Sequence, residues 1–364
     1  LGGDNDSSQR IFQNASAVTR QRQFFSDNWA GMCPEALAAL TEANTGHAVG
    51  YGDDEWSRKA AKMIADVFET KCEVFFVFSG TAGNSLALAS LCKPYNSVFC
   101  HQDAHIETGE CGAPEFLTGG SKLRPLPGEN GKIDAATLDA AVRKRRDVHY
   151  PKPGALSLTQ ATEAGTAYTP EELRSLCETA RKFSVRIHMD GARFANAVAA
   201  LNVKPKELTW QAGVDVLSFG GTKNGMAIGE ALVFFDAELA SEFEYRRKQA
   251  GQLASKMRFL SAPWIGVLKD GAWLRHAAHA NAMARRLESA LHALPNVKIA
   301  YPCQTNAVFA IMPDALIGKL KEQGWQFSPH VTPDNCRLMC SWDTTEEDVD
   351  AFAADIKKFS ANSH

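Results

Sequence analysis

The chain reads as an α/β protein: a large domain built on a mostly parallel sheet covered by helices, followed by a small C-terminal α+β domain. Three observations predict this. Short apolar runs alternate with amphipathic helical segments up to about residue 245. Beyond that point the alternation gives way to a nearly all-helical stretch and then to a β/α pattern of another kind. A length of 364 residues also exceeds what one core usually holds, which suits a large unit over 24–270 and a smaller one over 271–364 that includes the connecting helix.

Residues 1–23 are rich in Asp, Asn, Ser and Gln and read as a loose N-terminal arm; without an apolar core they do not form a signal peptide. Strands are expected at Val74–Phe78, Ser97–Cys100, Ala155–Leu158, Val185–Met189, Val214–Ser218 and Ala231–Phe235. Between them lie helical patterns at Trp56–Phe68, Thr81–Leu91, Ala135–Lys144 and Pro170–Lys182. The last has Thr169 as N-cap, Pro170 at the first helical position and Glu172 to close a capping box. Arg246 to about Leu294 is helical, and strands follow at Val297–Ala300, Ala307–Ile311 and Arg337–Ser341, with helices at Ala315–Gln323 and Glu346–Phe359. Pro295, Pro302 and Pro313 punctuate this region.

Composition excludes several function classes. Lys plus Arg is 39 against 42 Asp plus Glu, a formal charge of −3, so no broad cationic face awaits nucleic acid or an anionic bilayer. Nine cysteines without a C-x-x-C pair suggest neither a zinc ribbon nor a disulfide scaffold. Val74 to Cys92 carries no charge, yet Ser79-Gly80-Thr81 and Gly83-Asn84-Ser85 at its centre suit a strand, turn and helix better than a membrane span. The expectation is a soluble, cytoplasmic protein.

Three spots carry chemistry, each at the C-terminal end of an expected strand, where open α/β sheets bind ligands. Ser79-Gly80-Thr81 opens a helix and makes a small phosphate cradle, though the same residues also serve as a plain N-cap and turn. His188-Met189-Asp190-Gly191-Ala192-Arg193 sets a carboxylate and a guanidinium around one crevice, which a structural Asp–Arg pair would explain equally well. Lys223 stands in the small, uncharged loop Gly220-Gly221-Thr222-Lys223-Asn224-Gly225, where desolvation would favour a free amine; a solvated turn lysine is the plainer alternative. Together, cradle, strand-end aspartate and loop lysine describe a pyridoxal 5'-phosphate site. The cradle anchors the phosphate, Lys223 forms the Schiff base, and Asp190 keeps the pyridine nitrogen protonated.

On these strings, with Ser26-Asp27-Asn28, Gly50-Tyr51-Gly52-Asp53-Asp54 and Ala104-His105, the chain resembles the threonine aldolase and β-eliminating lyase group of fold-type-I pyridoxal-phosphate enzymes, nearest the low-specificity threonine and phenylserine aldolases. The resemblance runs from about Phe25 to Trp342. It implies that L-3-hydroxy-α-amino acids are cleaved to glycine and an aldehyde, with β-elimination or transamination as the alternative on the same cofactor. It further implies that His105 stacks on the ring and that Arg193 reaches the phenolic oxygen or the substrate carboxylate. Arg337 would clamp that carboxylate with help from Ser26. Tyr51 and Arg258 match positions lent to a neighbouring subunit, Arg258 touching the phosphate, so a homotetramer is expected.

Two departures stand out. The segment Leu156-Ser157-Leu158-Thr159-Gln160-Ala161-Thr162-Glu163-Ala164-Gly165 aligns with a stretch that in many relatives reads L-E-N-T-H-N-G, and the histidine proposed there as a substrate-hydroxyl contact falls on Thr162. The usual S-K-G is Thr222-Lys223-Asn224. His105 then becomes the candidate base, or the holder of a basic water. A metal hydrolase using Cys100, His101, His105 and Cys111 is the reading from another class; no H-E-x-x-H supports it, and no metal ligand is assigned.

Overall fold

The structure, a computed structural model, describes residues 22–145, 147–294, 296–330 and 332–361. The expected arm, apart from its last two residues, and Pro295 lie outside them.

Seven strands form the large sheet: β1 (Glu73–Val77), β2 (Asn96–His101), β3 (Lys122–Leu126), β4 (Lys152–Thr159), β5 (Arg186–Gly191), β6 (Val216–Gly220) and β7 (Glu230–Phe234), in the order β1-β7-β6-β5-β4-β2-β3. Only β7 runs against its neighbours, pairing antiparallel with both β1 and β6. β2 through β6 pair in parallel. The expected strands are present within a few residues. β3 was not anticipated, because Lys-Leu-Arg-Pro-Leu carries two charges and a proline. All are tolerated on an edge strand, which pairs on one side only.

A second, antiparallel sheet in the order β10-β11-β9-β8 holds β8 (Lys298–Ile299), β9 (Ala307–Ile311), β10 (Ser328–Pro329) and β11 (Asn335–Met339). The strand expected from Arg337 begins two residues earlier, so Arg337 is at its middle. The Thr169–Glu172 capping box forms, Thr169 N donating to Glu172 Oε2 at 2.7 Å and Glu172 N to Thr169 Oγ1 at 3.2 Å. The uncharged Val74–Cys92 stretch is strand, turn and helix, and no helix among the described residues is long and apolar enough to cross a membrane.

The larger core gathers under the Lys223 loop. Phe219, the next-to-last residue of β6, packs against the rings of Phe68, Phe194, Trp264 and Trp273 with centroids 4.8–5.9 Å apart along this cluster. Burying such a ring is worth about 3 kcal/mol, so β6 ends on a firmly held platform. A second core around Phe24, Trp325 and Phe352 sits under the small sheet. The helix Ala272–His292 supplies Trp273 and Ala277 to the first core and Leu287 and Leu291 to the second.

Candidate active site

Asp190 lies in β5 and is almost wholly buried. Its Oδ1 accepts from the Ala192 N–H at 3.0 Å and its Oδ2 from Asn84 Nδ2 at 2.9 Å. Asn84 belongs to the helix Gly80–Leu91, which the Ser79 side chain caps by accepting from the Ala82 N–H at 3.3 Å. The N–H groups of Gly80 and Thr81 head that helix with no intrahelical acceptor, and a side chain built at Gly80 would meet open space. One amide thus ties the cradle helix to the strand-end carboxylate.

The same Asn84 Nδ2 also donates to Glu110 Oε1 at 2.8 Å, and Glu110 Oε1 lies 2.8 Å from His105 Nδ1. Burial pushes Glu110 above the usual carboxylate range, with the Asp190 charge adding to it against the hydrogen bonds from His105 and Asn84. The hydrogen bond to Glu110 raises His105 above the ordinary imidazole value despite its partial burial, and Asp190 and Glu163 add to the rise.

Two residues before Asp190 on the same strand face, His188 is buried between hydroxyls, Nδ1 2.9 Å from Ser157 Oγ and Nε2 3.0 Å from Ser218 Oγ. Burial pulls its pKa down to about 4, so the ring is neutral, one nitrogen donating and the other accepting. This row crosses β4, β5 and β6 and fixes the strands that carry the site.

Lys223 occupies a short 3-10 turn, Thr222–Asn224, directly after β6. Neighbouring elements pin the turn: the Gly221 N–H donates to Glu230 Oε2 at 2.7 Å, Asn224 Nδ2 to the Trp273 carbonyl at 2.9 Å, and the Cys33 N–H to the Gly225 carbonyl at 2.8 Å. A Cβ at Gly221 would come within 2.8 Å of Met226 Sδ, the Gly229 carbonyl and Trp264, so only glycine fits this approach. Burial lifts the Glu230 carboxyl to about 7, even though Lys223 pulls the other way.

Opposite this turn, Arg193 grips Asp27, Nε donating to Oδ2 at 2.7 Å and Nη2 to Oδ1 at 3.0 Å, while Asn306 Nδ2 adds a bond to Oδ2 at 3.2 Å. Burial alone would raise Asp27, but Arg193, with smaller help from Lys223 and Asn306, holds it below the usual carboxylate value. Arg337 donates through Nη2 to the Phe25 carbonyl at 3.3 Å, and its buried Nε has no hydrogen-bond partner among the described residues. Burial, and then the nearby Arg193 charge, depress its pKa. Ser26 caps the turn Asp27–Trp29 beside them.

The structure therefore brings together Asp190, His105 and the cradle helix through Asn84 and Glu110, and places Lys223, Arg193, Ser26 and Arg337 around Asp27. Tyr51 and Arg258 share no hydrogen bond with these groups among the described residues. The Tyr51 N–H donates to the Ser255 carbonyl at 3.1 Å and Arg258 Nη2 to the Gly46 carbonyl at 3.4 Å, joining two loops to each other. Cys100, His101, His105 and Cys111 do not meet as a ligand set: His101 Nε2 is 3.1 Å from the Gly128 carbonyl, and His105 is held by Glu110. Among the described residues, the three-donor cluster is Cys33, Glu35 and His276.

Several site residues escaped the sequence. Thr162 Oγ1 lies 2.8 Å from Thr166 Oγ1, and its neighbour Glu163 is the acid whose charge His105, Arg193, Arg337 and His330 all feel. Asn84 is a lone amide in an apolar helix, and Asp27 and Glu163 stand inside the Ser26-Asp27-Asn28 and Thr162 strings without a role of their own; Glu110 and Glu230 carry no signal.

The donor set suits pyridoxal phosphate. An amine, a buried acceptor carboxylate, an imidazole and a helix start converge, and a guanidinium with a spare donor awaits an anion.

Comparison with known proteins supports the same chemistry. The Beta-eliminating lyase family matches residues 23–315. The chain is 54% identical over 338 residues to a low specificity L-threonine aldolase of a Pseudomonas species, covering 93% of this chain and 98% of that one. It is 54% identical over 336 residues to the protein of the same name from Pseudomonas aeruginosa, covering 92% and 97%. Among solved structures, Leishmania major threonine aldolase superposes with a TM-score of 0.87 at 28% identity over 93% of this chain and 99% of that one. Oryza sativa TDC with PLP, at 16% identity and a TM-score of 0.75 over 100% and 88%, shares the fold.

Proposed function

Because this chain belongs to the β-eliminating lyase family, we propose that it is a pyridoxal-phosphate-dependent aldolase cleaving L-3-hydroxy-α-amino acids to glycine and an aldehyde. The observation that carries the reading is the closeness of two groups of residues: Lys223 acts on Asp27, Asp190 on Arg193, and both on Glu230. The Lys223 turn and Asp190 suit the cofactor, and the Arg193–Arg337 cluster suits an amino-acid carboxylate.

Bound pyridoxal phosphate supplies a sink for the electron pair released when the Cα–Cβ bond breaks. The protein's own residues do the rest. Lys223 offers the amine that anchors the cofactor, and the Gly80 and Thr81 N–H groups offer donors to its phosphate. Asp190, its orientation fixed by Ala192 and Asn84, would hold a proton at the pyridine nitrogen. Arg337 receives the substrate carboxylate; two guanidinium groups kept close together are relieved by an incoming anion. Clamping the carboxylate would orient the substrate's Cα bonds for the reaction. His105 would lie against the bound cofactor and take the β-hydroxyl proton, directly or through a water.

We further assign the protein to the cytoplasm as a homotetramer. All nine cysteines are unpaired, which suits a reducing compartment. Tyr51 is half exposed and, among the described residues, the Arg258 guanidinium hydrogen-bonds only to the Gly46 carbonyl, which suits contribution to a neighbouring subunit.

The test compares kcat/KM for threonine, allo-threonine and phenylserine, scored by aldehyde and glycine release. Aldehyde and glycine in equal amounts are expected. Ammonia with a keto acid, or conversion of the cofactor to its amine form, would replace the aldolase by β-elimination or transamination.

A further inference from the structure

Glu110 is 3% exposed, receives no arginine or lysine in any hydrogen bond, and leaves Oε2 without a partner among the described residues. Retaining an acid in such a place costs stability, so a role beyond folding is indicated. Its one engaged oxygen joins two groups of the site: Nδ1 of His105 and, through Asn84, the carboxylate of Asp190, each step 2.8–2.9 Å long. Gly109 adds a complementary feature. A Cβ there would come within 2.8 Å of His105 Nε2, so the bare glycine keeps that nitrogen uncovered.

We propose that Glu110 is a positioning residue for His105: it holds the proton on Nδ1, so that Nε2, left open by Gly109, is the nitrogen that exchanges a proton with the substrate hydroxyl. Through Asn84 the same carboxylate is coupled to Asp190, so the ring-stacking imidazole and the pyridine partner sit in one hydrogen-bonded chain. This rests on the aldolase reading above. The charges facing His105 are Glu110 from its own segment, Asp190 from β5 and Glu163 from the loop after β4; Asn84 of the cradle helix bonds to Glu110. Removing the nearest negative charge therefore makes the imidazolium easier to deprotonate.

The experiment is Glu110→Gln, which keeps shape and an acceptor oxygen, with Glu110→Asp as a second variant that keeps the charge. In the holoenzyme the acid-side midpoint of the kcat/KM–pH profile should fall by about one unit in Glu110→Gln and return toward the parent value in Glu110→Asp, with the visible cofactor band retained. In the cofactor-free protein, imidazole NMR of His105 should show the same downward shift and, in the parent, a proton on Nδ1. An unchanged midpoint and an unchanged His105 titration in Glu110→Gln would overturn the proposal. If the parent releases no aldehyde, the aldolase reading fails, while the NMR titration still decides the role of Glu110.

Discussion

Arg193 and Asp27, 166 residues apart, meet in a buried fork-to-fork pair, two parallel bonds of 2.7 and 3.0 Å that fasten the segment before the first long helix to the end of β5. The Asp27 side chain is fully buried and that of Arg193 is 9% exposed, so neither charge has water to fall back on. Asp27→Ala should therefore destabilise the protein by about 3–5 kcal/mol, because it strands a buried guanidinium. Denaturant unfolding of the parent and variant measures this, and a loss below about 1 kcal/mol would show that the pair is effectively solvated.

Lys223→Ala should abolish the covalently bound cofactor band and lower the aldol cleavage rate by roughly 10³-fold or more. Absorbance after incubation with pyridoxal phosphate and the single-turnover rate check it. A variant that keeps both would remove the amine from the mechanism.

His188 gives a pH dependence of stability on the acid side. Its folded pKa, about 4, lies below the ordinary imidazole value of 6.5, so the unfolded chain binds the proton more tightly. Stability from this group is complete above pH 6.5 and declines as pH falls toward 4, by up to about 3 kcal/mol. His188→Asn should flatten that decline in unfolding experiments between pH 7 and pH 4.

Glu230 works in the opposite direction. Its folded pKa, about 7, lies above the usual 4.5, so the folded protein holds the proton more tightly. The contribution is complete below pH 4.5 and is lost as pH rises through 7, again up to about 3 kcal/mol. Glu230→Gln should be more stable than the parent at pH 8 and nearly equal to it at pH 4. An equal difference at both pH values would mean that Glu230 ionises normally.

The sheet and the strand-end groups were legible because apolar runs mark buried parallel strands, and Ser79, Asp190 and Lys223 stand directly after them. β3 was not, since an edge strand needs no apolar run on either side of Pro125. Within the site, Asn84 and Glu110 act through contacts made 26 residues apart in sequence, and Asp27 through a partner 166 residues away. No local pattern encodes such pairings. Glu163 sits beside the visible departure at Thr162, yet only the folding of that loop onto Thr166 and Asn130 turns attention from one to the other.

The helix Ala272–His292 has one end embedded beneath the Lys223 turn and the other beneath the sheet that bears Arg337. It is a beam common to the supports of the amine and the guanidinium, both of which face Asp27, and its bending stiffness limits how far they can part. Substitutions along its middle, where no reactant comes, should register as altered substrate grip before they register as unfolding.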